Sequence, residues 1–429
     1  MEIKDEADTD HMVSQNTEKK NEPINYVLIV LFYFLGTTCY LPSSFYVTAN
    51  GYWMFKFRDP NLAFNTSDTQ KTTLQKNFTA YTSIAGNVGT ITFLFVTFAL
   101  MKKISLKKRI IGGMVSLLML FVLTWFFIFL DTDSWQSGFF VIAVGVGGLL
   151  HCCFSVLMIS FFQLSTRFPL RYLAAQLAGQ SLCGILAASV QVFALLVTSS
   201  VKVTAGFFYA IAVFVVGGTI IAFVVISNKS EYLRNKLEWT PAVVERPAAF
   251  NIGAIIPLLK KLWLLLLALS LCLVSTLILN PGLTALVESS SKGTNDWSDI
   301  YFVPVTVFLL FNVMEFVGRE ISNYVAVLKI VYVILGTSVV RLVLFPLILL
   351  CNIQPRNHLP VVFHEDACFI IFMILLAFSS GYVQNAVIII LPGYCEREEK
   401  FMCMLTIMFV MLVFATLASI LSGVVVNLI

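Results

Sequence analysis

The stretch that decides the fold is VTVFLLFNVMEFVGREISNYVAV, residues 305–327. It is long enough to cross a bilayer as a helix, for which about 20 mainly apolar residues suffice, yet it contains Glu315 and Arg319. These two residues are four positions apart, so they share one face of a helix and can pair. A charge at the bilayer centre costs roughly 2.5–3.5 kcal/mol even on insertion scales. The pair must therefore face a partner, a water-filled cavity or a ligand, and it is the first candidate for a functional site.

Composition places the whole chain in the same class. Of its 429 residues, 58% are hydrophobic and 12% are charged, whereas soluble domains are about 45–50% apolar and about 25% charged. The apolar residues form continuous runs of about 20, which indicates helices rather than the alternating strands of a membrane barrel. The small net charge of +4 gives no indication of nucleic-acid binding. The sequence predicts an all-α integral membrane protein and no enzyme.

Apolar runs predict eleven transmembrane helices, whose termini would lie on opposite sides of the membrane. Their centres fall near Leu31, Phe93, Leu120, Val146, Leu186, Phe214, Leu267, Leu310, Leu335, Ile374 and Leu412. Basic residues concentrate in residues 101–109 and 227–261, on the side of the N-terminal tail. Because cytosolic loops are rich in Lys and Arg, the N-terminus is predicted to be cytosolic and the C-terminus extracellular.

Two glycosylation sequons agree with this orientation. They begin at Asn65 and Asn77, and both fall in the first predicted external loop. The tail, residues 1–25, is polar and is predicted to be disordered in the cytosol. Residues 228–258 contain the only substantial cytosolic break and are predicted to be a flexible linker. They separate a six-helix bundle, residues 26–227, from a five-helix bundle, residues 259–429, in an arrangement like that of a major facilitator.

The eighth predicted span presents one polar stripe. Asn312, Glu315 and Arg319 recur at positions i, i+3 and i+7, so an amide, a carboxylate and a guanidinium face the same way. A carboxylate accepts hydrogen bonds from hydroxyls and a guanidinium donates to oxygens, which suits a neutral, polyhydroxylated solute. The alternative is an ion pair that only locks two helices together.

Other polar residues inside the spans have simpler interpretations. Arg341 has no acid in its own span and is predicted to bond across helices to fix the fold. His151 is predicted to be a packing residue, and we expect neither a metal site nor a cofactor. Small residues on the fifth span, which let helices approach closely, are Ala174, Ala175, Ala178, Gly179 and Gly184.

Several motifs, in order along most of the chain, resemble the equilibrative nucleoside transporter family. The eighth-span motif is Tyr301-Phe302-Val303-Pro304, then Phe311-Asn312 and Gly318-Arg319. Further matching segments are Gly36 to Leu41-Pro42, Pro169-Leu170-Arg171-Tyr172 with Ala178-Gly179-Gln180, Arg341-Leu342-Val343 to Asn352, and Ala377-Phe378-Ser379 with Gly381-Tyr382. The resemblance implies eleven helices in a major-facilitator-like fold.

The resemblance also implies roles for single residues. Gln180 matches a glutamine that contacts the nucleobase, Arg319 matches the arginine that holds the ribose with an acid one turn earlier, and Asn312 matches an asparagine on the same face. The acid one turn before Arg319 is commonly Asp in the family, whereas this chain has Glu315. This chain also departs from the family after Pro42, where Ser43 and Ser44 replace a frequent Trp-Asn pair. Tyr40, Ser43 and Ser44 are predicted to line the first-helix wall.

We therefore expect facilitative transport of nucleosides by alternating access, in a monomer in the plasma membrane, with an intracellular organelle membrane as the alternative location. No GxxxxGK[ST] motif for ATP binding occurs in the sequence. One alternative is transport of nucleobases or organic cations, with proton coupling through Glu315 left open. A more distant alternative is a membrane receptor that does not transport.

Overall fold

The computed structural model describes residues 25–60, 72–198, 200–238, 252–325, 331–354, 360–395 and 400–428. Within these ranges the regular secondary structure is helical, and the only β pairing consists of two isolated bridges. All eleven predicted span centres fall inside helices. The predicted tail, apart from Asn25, lies outside the described residues.

The helices are numbered α1 to α13 in chain order. The first half of the chain forms α1 Tyr26–Thr48, α2 Asn50–Lys56, α3 Thr73–Leu100, α4 Leu106–Phe126, α5 Gln136–Ser165, α6 Leu170–Val197, α7 Val201–Lys229 and α8 Glu231–Glu238. The second half forms α9 Ile252–Ile278, α10 Leu310–Val325, α11 Val331–Leu349, α12 Asp366–Ile390 and α13 Lys400–Leu428.

Ten of the helical segments in the described ranges are long and apolar enough to cross a membrane. The eighth predicted span is not among these ten, and α10 itself has only 16 residues. It is nevertheless helical, since two wider π-helical segments, Trp297–Tyr301 and Pro304–Leu309, lead into α10.

The first predicted external loop is shorter than the sequence analysis expects. Thr72 begins α3 with a capping box, in which its hydroxyl accepts from the Gln75 N–H and the Gln75 side chain accepts from the Thr72 N–H. Asn77 therefore lies near the start of a helix, with its side chain exposed, and not in a loop. Asn65 lies outside the described residues.

The predicted linker, residues 228–258, is partly helical. It contains α8 and the beginning of α9, whereas residues 239–251 lie outside the described ranges. Arg167 holds α8 in place, since its guanidinium donates to the carbonyls of Lys236 (2.7 Å) and Leu237 (3.2 Å) at the C-terminal end of that helix. Burial, and to a smaller extent the nearby Arg109, lower the pKa of Arg167 to about 10, so this side chain stays charged at neutral pH.

Two helix pairs pack closely through glycines. In the first half of the chain, Gly179 of α6 lies against the backbone of Tyr33 in α1, and the Thr37 hydroxyl donates to the Gly179 carbonyl (2.9 Å). In the second half, Gly381 of α12 lies against the backbone of Glu315 in α10. A side chain on either glycine would push the helices apart, as predicted for the small-residue face of α6. These contacts fix the two helices, α6 and α10, that carry the polar stripe and its partners.

The buried apolar residues form three cores. One is built only from residues of the first half of the chain, from Leu28 to Leu237, and one only from the second half, from Ile278 to Ala418. The third joins both halves, because Leu94, Ile159 and Phe162 pack with Leu262, Leu269 and Met404. This mixed core lies where α3, α5 and α12 end and α6, α9 and α13 begin, which we call the basic end because it also carries Lys102, Lys103, Lys107 and Lys108. The two halves therefore share a core at one end of the molecule.

Candidate functional site

A cavity of about 550 Å³ lies between the two halves. Its volume falls within the range of about 300–1,000 Å³ that is usual for small-molecule sites. All seven residues that the sequence analysis predicts to bind substrate line this cavity, namely Tyr40, Ser43, Ser44, Gln180, Asn312, Glu315 and Arg319. Residues from three separate helices, α1, α6 and α10, thus meet at one place.

Arg319 connects the polar groups of the two halves. Its Nη1 donates to Oε1 of Gln180 (3.1 Å) and to the carbonyl of Leu177 (2.8 Å), both on α6. Its Nη2 donates to Oε1 of Glu315 (3.1 Å), one turn earlier on α10. The predicted pairing of Glu315 with Arg319 is confirmed, and the guanidinium also bridges α10 to α6.

Part of the hydrogen-bonding capacity at this point is unused. Nε2 of Gln180 and Nε of Arg319 are buried and have no hydrogen-bond partner among the described residues. Oε2 of Glu315 has only a long contact, 3.5 Å, from the Ser181 hydroxyl. A buried polar group without a partner costs about 1–3 kcal/mol. The site therefore offers free N–H donors and a carboxylate acceptor to a ligand in the cavity.

Asn312 occupies a tight position between α10 and α6. Its Nδ2 donates to the carbonyl of Phe308 (2.8 Å), and its Oδ1 faces Gly184 so closely that a Cβ at Gly184 would collide with it. The amide is therefore held by its own helix and by the absence of a side chain on α6. A glycine at 184 keeps the predicted stripe of Asn312, Glu315 and Arg319 open to the cavity.

The wall from α1 is partly aromatic. The ring of Tyr40 packs edge to face against Phe154 of α5, with ring centroids 5.3 Å apart. Ser44 lies beside the Cys183 thiol of α6 and hydrogen-bonds with it. Small hydroxyls at Ser43 and Ser44 leave space in the cavity on this side.

Further polar side chains that line the cavity are not among the predicted site residues. They are Thr90, Ser155, Gln191, Thr276, Asn280 and Gln384. Their sequence signal is a single polar residue within an apolar run, a signal that Ser and Thr bonded to their own helix also give. Glu320 is also not among the predicted residues, although it follows Arg319 directly and accepts a hydrogen bond from Tyr33 of α1 (2.6 Å).

Arg341 does not line the cavity. It is 3% exposed and donates to the Cys272 carbonyl (2.9 Å), the Thr276 hydroxyl (2.8 Å) and the Leu376 carbonyl (3.0 Å). These acceptors belong to α9 and α12, so the prediction that Arg341 bonds across helices is confirmed. These oxygens, and the Cys272 Sγ to which Nη1 also donates, are neutral groups and not a carboxylate.

Comparison with known proteins identifies relatives of the chain. A family model described as "Nucleoside transporter" matches residues 239–426. Equilibrative nucleoside transporter 3 of Rattus norvegicus is 29% identical over 399 residues, which cover 86% of this chain and 82% of the relative. Equilibrative nucleoside transporter 1 of Homo sapiens is 27% identical over 402 residues, which cover 83% and 87%.

The fold also has a counterpart among solved structures. A crystal structure of the E. coli fucose:proton symporter FucP aligns with a TM-score of 0.57 and 12% identity, over 93% of this chain and 91% of the symporter. A second FucP structure, described as a Major Facilitator Superfamily transporter in the outward conformation, aligns with a TM-score of 0.43. The first alignment shows that the chain shares the fold of this symporter and, at 12% identity, gives no information on substrate.

Proposed function

We propose that this chain is a member of the equilibrative nucleoside transporter family, which its similarity to these relatives and to the family model supports, and that it carries nucleosides across a membrane by facilitative transport. On this proposal the protein is a transporter and not an enzyme. The observation that carries the proposal is the position of Arg319, joined to Gln180 and Glu315 at the wall of the cavity between the halves. Substrate would bind there while the halves rock about it.

The proposed roles follow from the unused hydrogen-bonding groups. Gln180 would use its free Nε2 to donate to an acceptor on the base, while its Oε1 stays on Arg319. Glu315 would accept from ribose hydroxyls through Oε2, and Arg319 would donate to ribose through Nε. Asn312 would support the pair, and Tyr40, Ser43 and Ser44 would form the first-helix wall.

The proposed topology has eleven spans, with α10 and the π-helical turns before it as the eighth. The basic end is then cytosolic, as is the N-terminus, and the C-terminus is extracellular. In this orientation the mixed core closes the cytosolic side. The bundles of residues 26–227 and 259–429 would move against each other, with residues 228–258 connecting them.

The proposed setting is the plasma membrane, where the protein acts as a monomer. Glycosylation at Asn65 and Asn77 belongs to this proposal, and the exposure of the Asn77 side chain supports it at one of the two sites. Deglycosylation of the expressed protein with an amidase, beside Asn77→Gln, would show whether that site carries a glycan. A gel mobility that neither treatment changes would contradict it.

The test of function is uptake of radiolabelled uridine and adenosine by cells that lack nucleoside transport. Wild type is compared with Glu315→Gln and Arg319→Ala, and with Thr337→Ala as a control, since Thr337 does not line the cavity and its hydroxyl donates to its own helix. We expect saturable uptake by wild type and by the control, and loss in both cavity variants at equal surface expression. Uptake that survives both changes would make the pair structural, and a well-expressed wild type without uptake would overturn the proposal.

A second candidate substrate class is nucleobases or organic cations. The under-used Oε2 of Glu315 favours it, because a carboxylate with a single long contact attracts a cation or an N–H donor. Competition of uridine uptake by inosine and by hypoxanthine separates the two, since a site that needs ribose prefers inosine. Uptake that is independent of pH and of membrane potential would exclude proton coupling through Glu315.

A further inference from the structure

Gln191, which like Gln180 belongs to α6, also lines the cavity. Its Oε1 is buried and accepts no hydrogen bond from any residue that the structure describes. Gln191 follows Gln180 by eleven residues, which corresponds to about 16 Å along a helix at 1.5 Å per residue. A nucleoside bound at Gln180 and Arg319 is too short to reach it.

Between Gln180 and Gln191, the residues of α6 that line the cavity have small side chains. Gly184, Ala187 and Ala188 are the residues of this interval that line the cavity, and none carries a side chain larger than a methyl group. The cavity therefore extends along α6 over this interval, and the Asn312 amide packs against Gly184 within it. A polar group stands at each end of this groove.

An aromatic residue of α10's leading turns lies at the same level as Gln191. α6 begins at the basic end and α10 runs toward it, so the two helices are antiparallel. Gln180 and Arg319 are bonded to each other. Gln191 is eleven residues from Gln180, and Phe308 is eleven residues from Arg319, in both cases away from the basic end. Both residues line the cavity. An amide acceptor and a ring thus face the outer part of the cavity together.

We propose that Gln191 and Phe308 form a second nucleoside-binding position, which substrate occupies before it reaches Arg319. This inference rests on the proposed function. Oε1 of Gln191 would accept a hydrogen bond from a hydroxyl or amino group of the nucleoside, and Phe308 would pack against the base. Aromatic packing and one well-placed acceptor are the usual components of a small-molecule site.

The two positions can be separated by cysteine protection. Gln191→Cys is treated from outside the cell with an impermeant thiol reagent, with and without uridine, and the same is done in an Arg319→Ala background. Thr294→Cys, on an exposed loop, is the matched control and is modified equally with and without uridine. We expect uridine to protect Cys at 191 in both backgrounds. Protection that vanishes with Arg319→Ala, or that is absent in both, would overturn the second position.

A transport measurement distinguishes binding from a structural role. In Gln191→Leu we expect the KM for uridine to rise about three- to tenfold, as for the loss of one hydrogen bond. The thermal stability of the same variant should be unchanged or higher, because a buried acceptor without a partner has been removed. Lower stability with an unchanged KM would overturn the proposal. Loss of uptake in wild type would refute the transport function instead, so the two failures are distinguishable.

Discussion

The Tyr33 hydroxyl of α1 donates a 2.6 Å hydrogen bond to Oε1 of Glu320 on α10. This contact joins the two halves of the molecule. Tyr33 lies about two turns nearer to the basic end than Tyr40, and Glu320 directly follows Arg319. The bond therefore closes the cavity on the side of the mixed core.

Tyr33→Phe removes this bond and keeps the ring. Since hydrogen bonds to charged groups contribute about 1.5–3 kcal/mol, we expect the population to shift toward the state open at the basic end. The KM for uridine uptake should then rise and the KM for efflux should fall, each several-fold. Tyr332→Phe, on an exposed tyrosine, is the control. Equal values for Tyr33→Phe and wild type in both directions would show that the bond does not hold this side closed.

Gly184→Ala introduces a methyl group against Oδ1 of Asn312. Overpacking of this kind typically costs about 1–3 kcal/mol, and here it would displace Asn312 from the stripe. We expect uridine uptake to fall about tenfold or more at equal surface expression. The double variant Gly184→Ala with Asn312→Ala restores the space, so its stability should recover while its uptake remains low. A single variant with normal uptake would mean that the position of Asn312 is not critical.

Glu315→Asp keeps the charge and shortens the side chain by one methylene. The carboxylate would withdraw from Arg319 and from the Ser181 hydroxyl, which now lie at 3.1 and 3.5 Å. We expect the KM for nucleosides to change about three- to tenfold, by the loss of one hydrogen bond. Glu288→Asp is the matched control, because Glu288 also pairs with a cation four residues away but on the exposed surface. A KM unaffected by Glu315→Asp would show that the reach of Glu315 does not select the substrate.

Arg341→Leu tests the difference between a structural and a functional arginine. It removes the hydrogen bonds that the guanidinium donates to the Cys272 and Leu376 carbonyls and to the Thr276 hydroxyl. Interhelical hydrogen bonds in membrane proteins average about 0.6 kcal/mol each, so we expect a lower melting temperature in detergent. Uptake per folded molecule should stay near wild type, whereas Arg319→Ala should lose uptake at a nearly normal melting temperature. Lost uptake in Arg341→Leu together with a lowered melting temperature in Arg319→Ala would mean that Arg341 is the functional arginine and Arg319 the structural one.

The sequence predicts the helices and the cavity residues for a simple physical reason. Charged or amide side chains in apolar spans are costly unless they face a cavity or a partner. Asn312, Glu315 and Arg319 can therefore be predicted as site residues from the sequence alone. Gln180 required the family resemblance, because no local pattern connects two residues 139 positions apart. The Tyr33–Glu320 hydrogen bond cannot be predicted from a local pattern either, because the two residues are 287 positions apart in the sequence.

Local signals account for the remaining differences between sequence and structure. The capping box at Thr72 and Gln75 begins α3 early and brings Asn77 into a helix. The helix α8 lies in the predicted linker because Leu233 and Leu237, four residues apart, are both buried. Hydropathy alone detects neither feature, because it averages over a window longer than both.

The core shared by the two halves has a thermal consequence. To open toward the basic end, the molecule must separate Leu94, Ile159 and Phe162 from Leu262, Leu269 and Met404 and expose them to water. Exposure of apolar surface raises the heat capacity by about 0.45 cal/K/mol for each Å². The enthalpy of that step therefore changes with temperature, and a plot of the logarithm of the uptake rate against reciprocal temperature should be a curve where that step limits transport. The curvature of this plot would report how much of the mixed core comes apart in each transport cycle.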